Sequence, residues 1–238
     1  MSIRVVHHDE SLLVVDKPSG LATTAPEDGD SLATKVKALD PEAPRLHPTS
    51  RLDAEVTGLV TFARTRRATL ALKASREEGR YHRLYLALAL AEGLPGDAGR
   101  WEGTIAIDPR DPRRRFVGEG KGAKAAATRW SVVARAGQVV LLAFEPETGR
   151  THQLRVHAQA AGVPLLGDRH YGGARRVTQK DGRVLSARRV MLHCAALMIG
   201  GEVPLDVTSV PPKDFHTLWT GAGGDATTLA ASAAIHPR

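Results

Sequence analysis

The sequence predicts an α+β fold in which strands, mostly antiparallel, form the larger part. Short apolar runs recur between turn-forming residues, as at positions 58–63 and 81–90, and such runs are typical of strands. Two further runs at 126–135 and 138–145 are separated only by Ala136-Gly137, which predicts a hairpin. Helical spacing of apolar residues is found in a few segments, namely residues 31–39, 64–78 and 150–161.

The amino-acid composition is that of a globular protein with a basic surface. The chain has 238 residues, of which 42% are hydrophobic, and this is sufficient for a sizeable core. Lys and Arg number 33 against 26 Asp and Glu, which gives a net charge of +7. A basic surface favours an anionic partner, with nucleic acid first and an anionic membrane second, although plain solubility is compatible with the same balance.

Cysteine usage and hydropathy indicate the compartment. Cys194 is the single cysteine, so no disulfide can form within the chain, as is usual in a reducing environment. The sequence shows no signal peptide and no apolar run of the length of a membrane span. We therefore expect a cytoplasmic protein with no membrane partner. The ten histidines do not follow a zinc-ligand spacing, so no metal is expected either.

Further elements are predicted in chain order. Residues 3–6 and 12–15 are expected to be strands on either side of a short polar turn. Pro18 and Gly20 predict a tight, fixed loop after the second strand. Residues 109–124 are rich in Arg, Lys and Gly and lack apolar periodicity, which predicts a mobile basic loop. Such a loop either closes on nucleic-acid phosphates or remains solvated.

Arg51-Leu52-Asp53 precedes the buried-strand pattern at 58–63. A carboxylate at the mouth of a buried strand can be held still over a pocket, and reactive groups are commonly placed in this way. The alternative is an Arg–Asp surface pair that closes a loop, because local charged pairs are abundant and usually structural. Both interpretations stay open on these residues alone.

Two later segments carry polar groups in patterns that suit a binding site. Within residues 81–90, alternation places Tyr85 on the face away from the leucines, either as a packed residue or as a stacking platform. In the second segment His152, Gln153 and Arg155 lie near a predicted helix start. They are placed to meet an anion or a polar base edge there, unless the run is only an exposed helix turn.

Together these segments resemble the RluA-type RNA pseudouridine synthases. The family's first signature runs His-Arg-Leu-Asp, two variable residues and Thr-Ser-Gly. The chain has Ser50-Arg51-Leu52-Asp53 and then Val56-Thr57-Gly58 in these places. A longer match runs from Thr148 to His157 and continues through Gly162-Val163-Pro164-Leu165-Leu166-Gly167-Asp168 to Tyr171-Gly172. The resemblance covers about residues 3–218.

The resemblance implies a pseudouridine synthase-like fold, with a mainly antiparallel central sheet in two lobes and a catalytic cleft between them. Residues 1–220 are then expected to form the catalytic domain, followed by a flexible tail at 221–238. No separate N-terminal RNA-binding domain is expected. The implied partner is ribosomal or transfer RNA, and the implied state is a monomer.

The resemblance also implies the chemistry and the residues that perform it. A uridine in RNA is isomerised by cleavage of its C–N glycosidic bond, rotation of the uracil and formation of a C5–C1′ bond, without cofactor or metal. Asp53 matches the essential carboxylate, and Arg155 matches the arginine that pairs with it and keeps it ionised. Three further residues match substrate contacts: Arg51 fills the vacated place in the RNA stack, Tyr85 stacks on the uracil, and Leu192 walls its pocket.

Two other classes of protein stay open at this stage. One is a catalytically silent RNA-binding protein on the same fold, which the departures at Ser50 and Val56-Thr57 would allow. The other is a hydrolase that uses Asp53 with His47, although no third partner and no nucleophile elbow is present in the sequence.

Overall fold

Paired strands make up most of the regular structure, as the α+β prediction requires. The structure is a computed structural model that describes residues 3–25 and 29–234. These residues divide by their contacts into two compact units. Unit 1 comprises residues 1–83, 193–211 and 233–238, and unit 2 comprises residues 84–192 and 212–232. No helix within the described ranges is both long and apolar enough to cross a membrane.

The described residues form thirteen strands and five helices. In chain order the strands are β1 (Arg4–His8), β2 (Leu12–Lys17), β3 (His47–Pro48), β4 (Thr57–Ala63), β5 (Tyr81–Leu90), β6 (Ala98–Ile107), β7 (Arg115–Val117), β8 (Lys124–Ala136), β9 (Val139–Pro146), β10 (Arg176–Thr178), β11 (Val184–Ser186), β12 (Leu192–Ile199) and β13 (Leu205–Thr208). The helices are α1 (Leu32–Leu39), α2 (Arg66–Glu77), α3 (Gln153–Ala160), α4 (Lys213–Gly221) and α5 (Ala226–Ala233).

Unit 1 is built on strands in the order β1-β2-β4-β12. The first two pairs are antiparallel, whereas β4 and β12 run parallel. Gly58 makes the parallel pair possible, because its φ of +110° is unfavourable for other residues and a Cβ there would lie 2.3 Å from the Cys194 carbonyl oxygen. The short strand β3 pairs with β4, and β13 pairs with β12, both antiparallel.

Both helices of unit 1 begin at caps that are visible in the sequence. The Ser31 side chain accepts a hydrogen bond from the backbone N–H of Thr34, and Thr65 does the same for Ala68. Such caps satisfy N–H groups that have no partner within the helix. The predicted helices at 31–39 and 64–78 are therefore confirmed with their starts shifted by one or two residues.

Unit 2 contains the strand order β5-β9-β8-β6-β7, and each of its described neighbour pairs is antiparallel. The predicted hairpin is confirmed as β8 and β9, which turn at Gly137 with a φ of +56°. From Leu84 to Ala89 every residue of β5 is buried, so both of its faces are covered. A separate two-stranded sheet consists of β10 and β11.

Three segments differ from the predictions. Strand β1 continues to His8, within the stretch that was expected to be a turn. The prediction of a mobile loop is wrong at residues 115–117, because β7 pairs with β6 in register Ile105 to Val117. Beyond Gly221, in the region expected to be a tail, α5 buries the side chain of Leu229. The end of that expected tail, residues 235–238, lies outside the described residues.

Candidate active site

The loop that carries Asp53 is fixed in unit 1 by the buried ammonium group of Lys17. Nζ of Lys17 donates to the carbonyl oxygens of Pro18, Leu21 and Ala54 at 2.9, 2.7 and 3.0 Å. A lysine side chain that is completely buried needs such acceptors, since it carries three donors and a charge. The bond to Ala54 attaches the residue that follows Asp53 to the end of β2.

Neighbouring residues complete this attachment. The Ala54 carbonyl also accepts from the backbone N–H of Gly20 at 2.8 Å, and the Glu55 carbonyl accepts from the Ser19 hydroxyl at 3.1 Å. The Thr23 hydroxyl both donates to the carbonyl and accepts from the N–H of Leu52, at 2.9 and 3.0 Å.

The carbonyl of Asp53 itself accepts from the N–H of Val56 at 3.1 Å. Every carbonyl from Leu52 to Glu55 is therefore hydrogen bonded, and the backbone that carries the half-buried Asp53 is held in place. Arg51, directly before this section, is exposed.

The two departures from the family signature are accommodated by hydrogen bonds. Ser50 is buried, and its hydroxyl accepts from the backbone N–H of Thr61 at 3.0 Å. The Thr57 hydroxyl lies 2.9 Å from Nδ1 of His193, whose Nε2 lies 3.0 Å from the carbonyl oxygen of Ser209. The carbonyl can only accept, so Nε2 of His193 carries a proton and donates to it. Both departures thus support the loop.

In unit 2 Arg155 forms a buried, bidentate ion pair with Asp168. Nε and Nη2 of Arg155 each lie 2.7 Å from a different carboxylate oxygen. The Arg155 and Asp168 side chains are 4% and 0% exposed. A guanidinium fork on a carboxylate fixes the plane of the arginine, because both bonds are charge-assisted and parallel. The carboxylate in this described pair is Asp168, which the sequence did not indicate as a partner.

Tyr171 supports the same arginine from its ring face. The Arg155 guanidinium carbon lies 5.1 Å from the centre of the Tyr171 ring, which is within the range of a cation–π contact. The Tyr171 hydroxyl accepts from the backbone N–H of Arg115 at 3.0 Å and lies 2.7 Å from Nδ1 of His152. His152 has a φ of +58°, the one positive φ among the described residues other than glycine. A strained residue of this kind often marks a functional site.

Helix α3, which carries Arg155, is attached to β8 through a buried polar chain. The Gln153 amide donates to the Ala127 carbonyl and to the Thr128 hydroxyl at 2.9 and 3.0 Å, and the same hydroxyl lies 3.0 Å from Nδ1 of His157. The Gln153 carbonyl oxygen accepts from the Thr148 hydroxyl and the Arg150 N–H. The prediction that Gln153 faces a ligand is therefore wrong, because these groups turn it inward.

His157 is a neutral member of this chain. Its side chain is buried, and burial lowers its pKa to about 4 because a charged imidazole loses its hydration there. Its Nδ1 lies 3.0 Å from the Thr128 hydroxyl, which also accepts from Gln153. Its Nε2 has no hydrogen-bond partner among the described residues.

The two remaining predicted residues belong to unit 2: Tyr85 lies on β5, and Leu192 is the first residue of β12, whose other residues belong to unit 1. Tyr85 is 5% exposed and is paired with Phe144 of β9. Leu192, which is 3% exposed, begins β12 directly after Met191, whose backbone bonds to Leu166 and Leu88 at 2.8 and 3.0 Å. The predicted residues are thus divided: Arg51 and Asp53 belong to unit 1, and Tyr85, Arg155 and Leu192 to unit 2.

Three structural partners of the site were not singled out from the sequence. They are Lys17, Asp168 and Tyr171, and the last two lie inside the family match that runs from Thr148 to Gly172. The signal that could have identified Lys17 is a charged residue in an otherwise apolar strand. Among the described residues, no group of three or more His, Cys, Asp or Glu is arranged to hold a metal ion.

A comparison with known families decides the class of protein. Residues 11–160, which include Asp53, Tyr85 and Arg155, match the family described as RNA pseudouridylate synthase. The chain belongs to this family. It is therefore an isomerase that acts on RNA and forms pseudouridine.

Curated relatives place this enzyme with the RluA-type synthases. The dual-specificity RNA pseudouridine synthase RluA of Vibrio vulnificus is 34% identical over 200 residues, which cover 81% of this chain and 76% of that protein. An uncharacterized RNA pseudouridine synthase of Zymomonas mobilis is also 34% identical, over 90% of this chain and 96% of its own length. The ribosomal large subunit pseudouridine synthase D of Xanthomonas campestris is 31% identical over 94% of this chain and 70% of that protein.

A solved structure supports the fold. Human RNA pseudouridylate synthase domain containing 1 is similar with a TM-score of 0.69 and 25% identity, over 87% of this chain and 83% of that chain. The predicted pseudouridine synthase-like α+β fold is thereby confirmed, with mainly antiparallel strands.

Proposed function

We propose that this synthase isomerises specific uridines in ribosomal or transfer RNA, with Asp53 as the essential carboxylate. Support for the substrate comes from the names of similar enzymes. One is a dual-specificity RNA pseudouridine synthase, and another is a ribosomal large subunit pseudouridine synthase. The proposal includes action as a monomer in the cytoplasm, in a catalytic domain that spans residues 1–220.

The observation that carries the role of Asp53 is the immobilised backbone around it. Each carbonyl from Leu52 to Glu55 has a donor, and two of those donors come from the buried Lys17 and Thr23. A surface loop that merely joins two strands does not need a completely buried ammonium group to hold it. Such rigidity is what a reactive carboxylate requires, since small displacements reduce the rate steeply.

The reaction itself conserves every atom of the uridine. The N1–C1′ bond breaks, the uracil rotates, a C5–C1′ bond forms, and the proton on C5 leaves while N1 gains one. An ionised Asp53 can serve this sequence by attack on the sugar, by attack on the base or by removal of a ribose proton. All three roles need the negative charge, so one substitution tests them together.

The other residues are assigned to contacts that a uracil requires once it has left the RNA stack. Tyr85 presents an aromatic face on which the uracil stacks, and Leu192 supplies an apolar wall. Arg51 is exposed and has a planar guanidinium, which suits it to fill the vacated place between RNA bases. Arg155 supplies a positive charge for substrate binding, and the plane of its guanidinium is fixed by its contacts with Asp168 and Tyr171.

The test replaces Asp53 with asparagine. Asn keeps the shape of the side chain but carries no charge and cannot act as a nucleophile. We expect Asp53→Asn to form no detectable pseudouridine while binding RNA with near-normal affinity, because affinity comes mainly from phosphate contacts. The measurement combines pseudouridine mapping with a binding titration at fixed salt. The substrate is identified by mapping pseudouridine in RNA from cells with and without this gene.

Glu55→Gln is the matched control, since it removes a carboxylate two residues away. It should retain activity. Full activity of Asp53→Asn would remove Asp53 from the centre of the reaction. A wild-type protein that binds RNA but forms no pseudouridine in any cellular RNA would instead favour a silent RNA-binding role.

A further inference from the structure

Three consecutive arginines, Arg113, Arg114 and Arg115, stand where the connection from β6 enters β7, and Arg115 is the first residue of that strand. Their side chains differ in the contacts that they make. The Arg113 guanidinium is bonded to Asp111 through Nε and Nη2, at 2.9 and 3.0 Å. Nη1 of Arg115 donates to the carbonyl oxygens of Pro112 and Arg114 at 2.9 and 2.7 Å. The guanidinium of Arg114 has neither kind of partner among the described residues.

The Arg114 side chain is nevertheless held in place. Its guanidinium carbon lies 5.6 Å from the centre of the buried Tyr171 ring, and its Nε is buried without an acceptor in the described part of the chain. A buried N–H group without an acceptor is unfavourable unless something else supplies the oxygen atom. Arg113 by contrast is 81% exposed and already paired.

The backbone at Arg114 is equally constrained. Its N–H donates to the Asp111 carbonyl at 2.8 Å, and its carbonyl accepts from the Asp108 N–H at 3.2 Å. The next residue, Arg115, is anchored by its backbone N–H to the Tyr171 hydroxyl at 3.0 Å. A ligand that binds Arg114 therefore meets a guanidinium that is ordered in advance, and little conformational entropy is lost on binding.

We propose that Arg114 is a binding residue for a phosphate of the RNA backbone and that the Tyr171 ring is the platform that presents it. Phosphate oxygens match the planar fork of donors on a guanidinium. The assignment rests on the proposed function in one respect, because it takes RNA as the ligand. The Tyr171 ring that contacts Arg114 also contacts Arg155, so one buried tyrosine positions both arginines.

The test compares two variants in binding to a fluorescein-labelled stem–loop RNA over a series of salt concentrations. Arg114→Gln removes the proposed contact. Arg110→Gln is the control: it removes one exposed arginine from the same segment and changes the net charge by the same amount. Thermal unfolding checks that both variants are folded.

For Arg114→Gln we expect an increase in Kd of about tenfold at low salt and a salt slope shallower by roughly one phosphate contact. Turnover at saturating RNA should stay within twofold of wild type, so that the effect falls on KM. The control variant should change Kd by less than twofold, and Arg114→Lys, which keeps the charge without the fork, should fall between wild type and Arg114→Gln.

Two outcomes would overturn the proposal. One is an unchanged Kd and salt slope for Arg114→Gln. The other is an equal loss of RNA affinity in the control variant. That result would mean that the overall positive charge of the segment, and not Arg114 in particular, determines the affinity. Neither outcome depends on Asp53, so a failure here is distinguishable from a failure of the proposed catalytic role, which Asp53→Asn tests separately.

Discussion

At the scale of single residues, the pair formed by Arg155 and Asp168 changes how Arg155 must be tested. Removal of Arg155 alone leaves a buried carboxylate without its counter-charge, which costs on the order of 3–5 kcal/mol. A loss of activity in Arg155→Ala would then be ambiguous between catalysis and folding. A second variant is therefore needed to separate the effect on folding from the effect on catalysis.

We predict that Arg155→Ala with Asp168→Ala recovers most of the stability lost in Arg155→Ala, because no uncompensated buried charge remains. Activity should stay at least about 100-fold below wild type, since a positive charge aimed at a reacting group contributes that much. Urea unfolding and single-turnover pseudouridine formation on the same RNA measure the two effects. Wild-type turnover in the double variant would show that Arg155 serves the fold alone.

At the scale of elements, His157 links α3 to β8 and makes stability depend on pH. Its pKa is lowered to about 4 in the folded chain by burial, whereas an unfolded chain has the usual value near 6.5. The unfolded chain therefore binds the proton first as the pH falls. The stabilisation by neutral His157 is complete above about pH 6.5 and is lost progressively as the pH falls toward 4, a change on the order of 3 kcal/mol.

The variant that tests this link is His157→Asn, whose side-chain amide can form a hydrogen bond with Thr128 in place of Nδ1. We expect wild type to lose more unfolding free energy than His157→Asn between pH 7 and pH 4.5, by denaturant unfolding at both values. Carboxylates elsewhere titrate in both proteins and cancel in the difference. Parallel stability curves for the two proteins would contradict the assignment of the low pKa to His157.

The helices and strands that were predicted correctly are those with a clear local pattern in the sequence. Helices α1 and α2 were predicted from the helical spacing of their apolar residues, and the hairpin β8–β9 was predicted from a two-residue turn. Strand β7 was missed because its three residues have no period of their own and depend on pairing with β6. Helix α5 was missed because its Ala- and Thr-rich sequence gives little apolar contrast beyond the buried Leu229.

The candidate site was predictable to the extent that it lies in the family's motifs. Those motifs supplied Asp53, Tyr85 and Arg155 as residue types and positions. They did not reveal that Asp168 takes two donors of Arg155, because a pairing between residues thirteen apart across a turn depends on the path of the chain. They also gave no reason to separate Arg114 from the arginines beside it, since only burial and the position of Tyr171 distinguish them.

At the scale of the whole molecule, the net charge of +7 makes RNA binding an electrostatic process. Each phosphate that is neutralised releases counterions, so the logarithm of affinity should fall linearly with the logarithm of salt concentration, by about 0.7–0.9 per contact. We predict such a decline for the wild-type enzyme with a stem–loop RNA. Affinity that stays constant as salt rises would contradict an RNA surface built from these charges.

The same charge distribution predicts which part of the surface determines how steeply RNA affinity falls as the salt concentration rises. Reversal of Arg113, Arg114 and Arg115 to Glu should weaken binding across all RNAs, because phosphate contacts position the protein without reading sequence. The modified uridine should therefore be unchanged in a mapping experiment at an RNA concentration that restores binding. A control with three reversed lysines elsewhere, Lys35, Lys37 and Lys180, gives the same net charge. If the lysine control binds RNA as weakly as the arginine variant, net charge alone accounts for the salt dependence. If the arginine variant modifies a different uridine, the three arginines select the target.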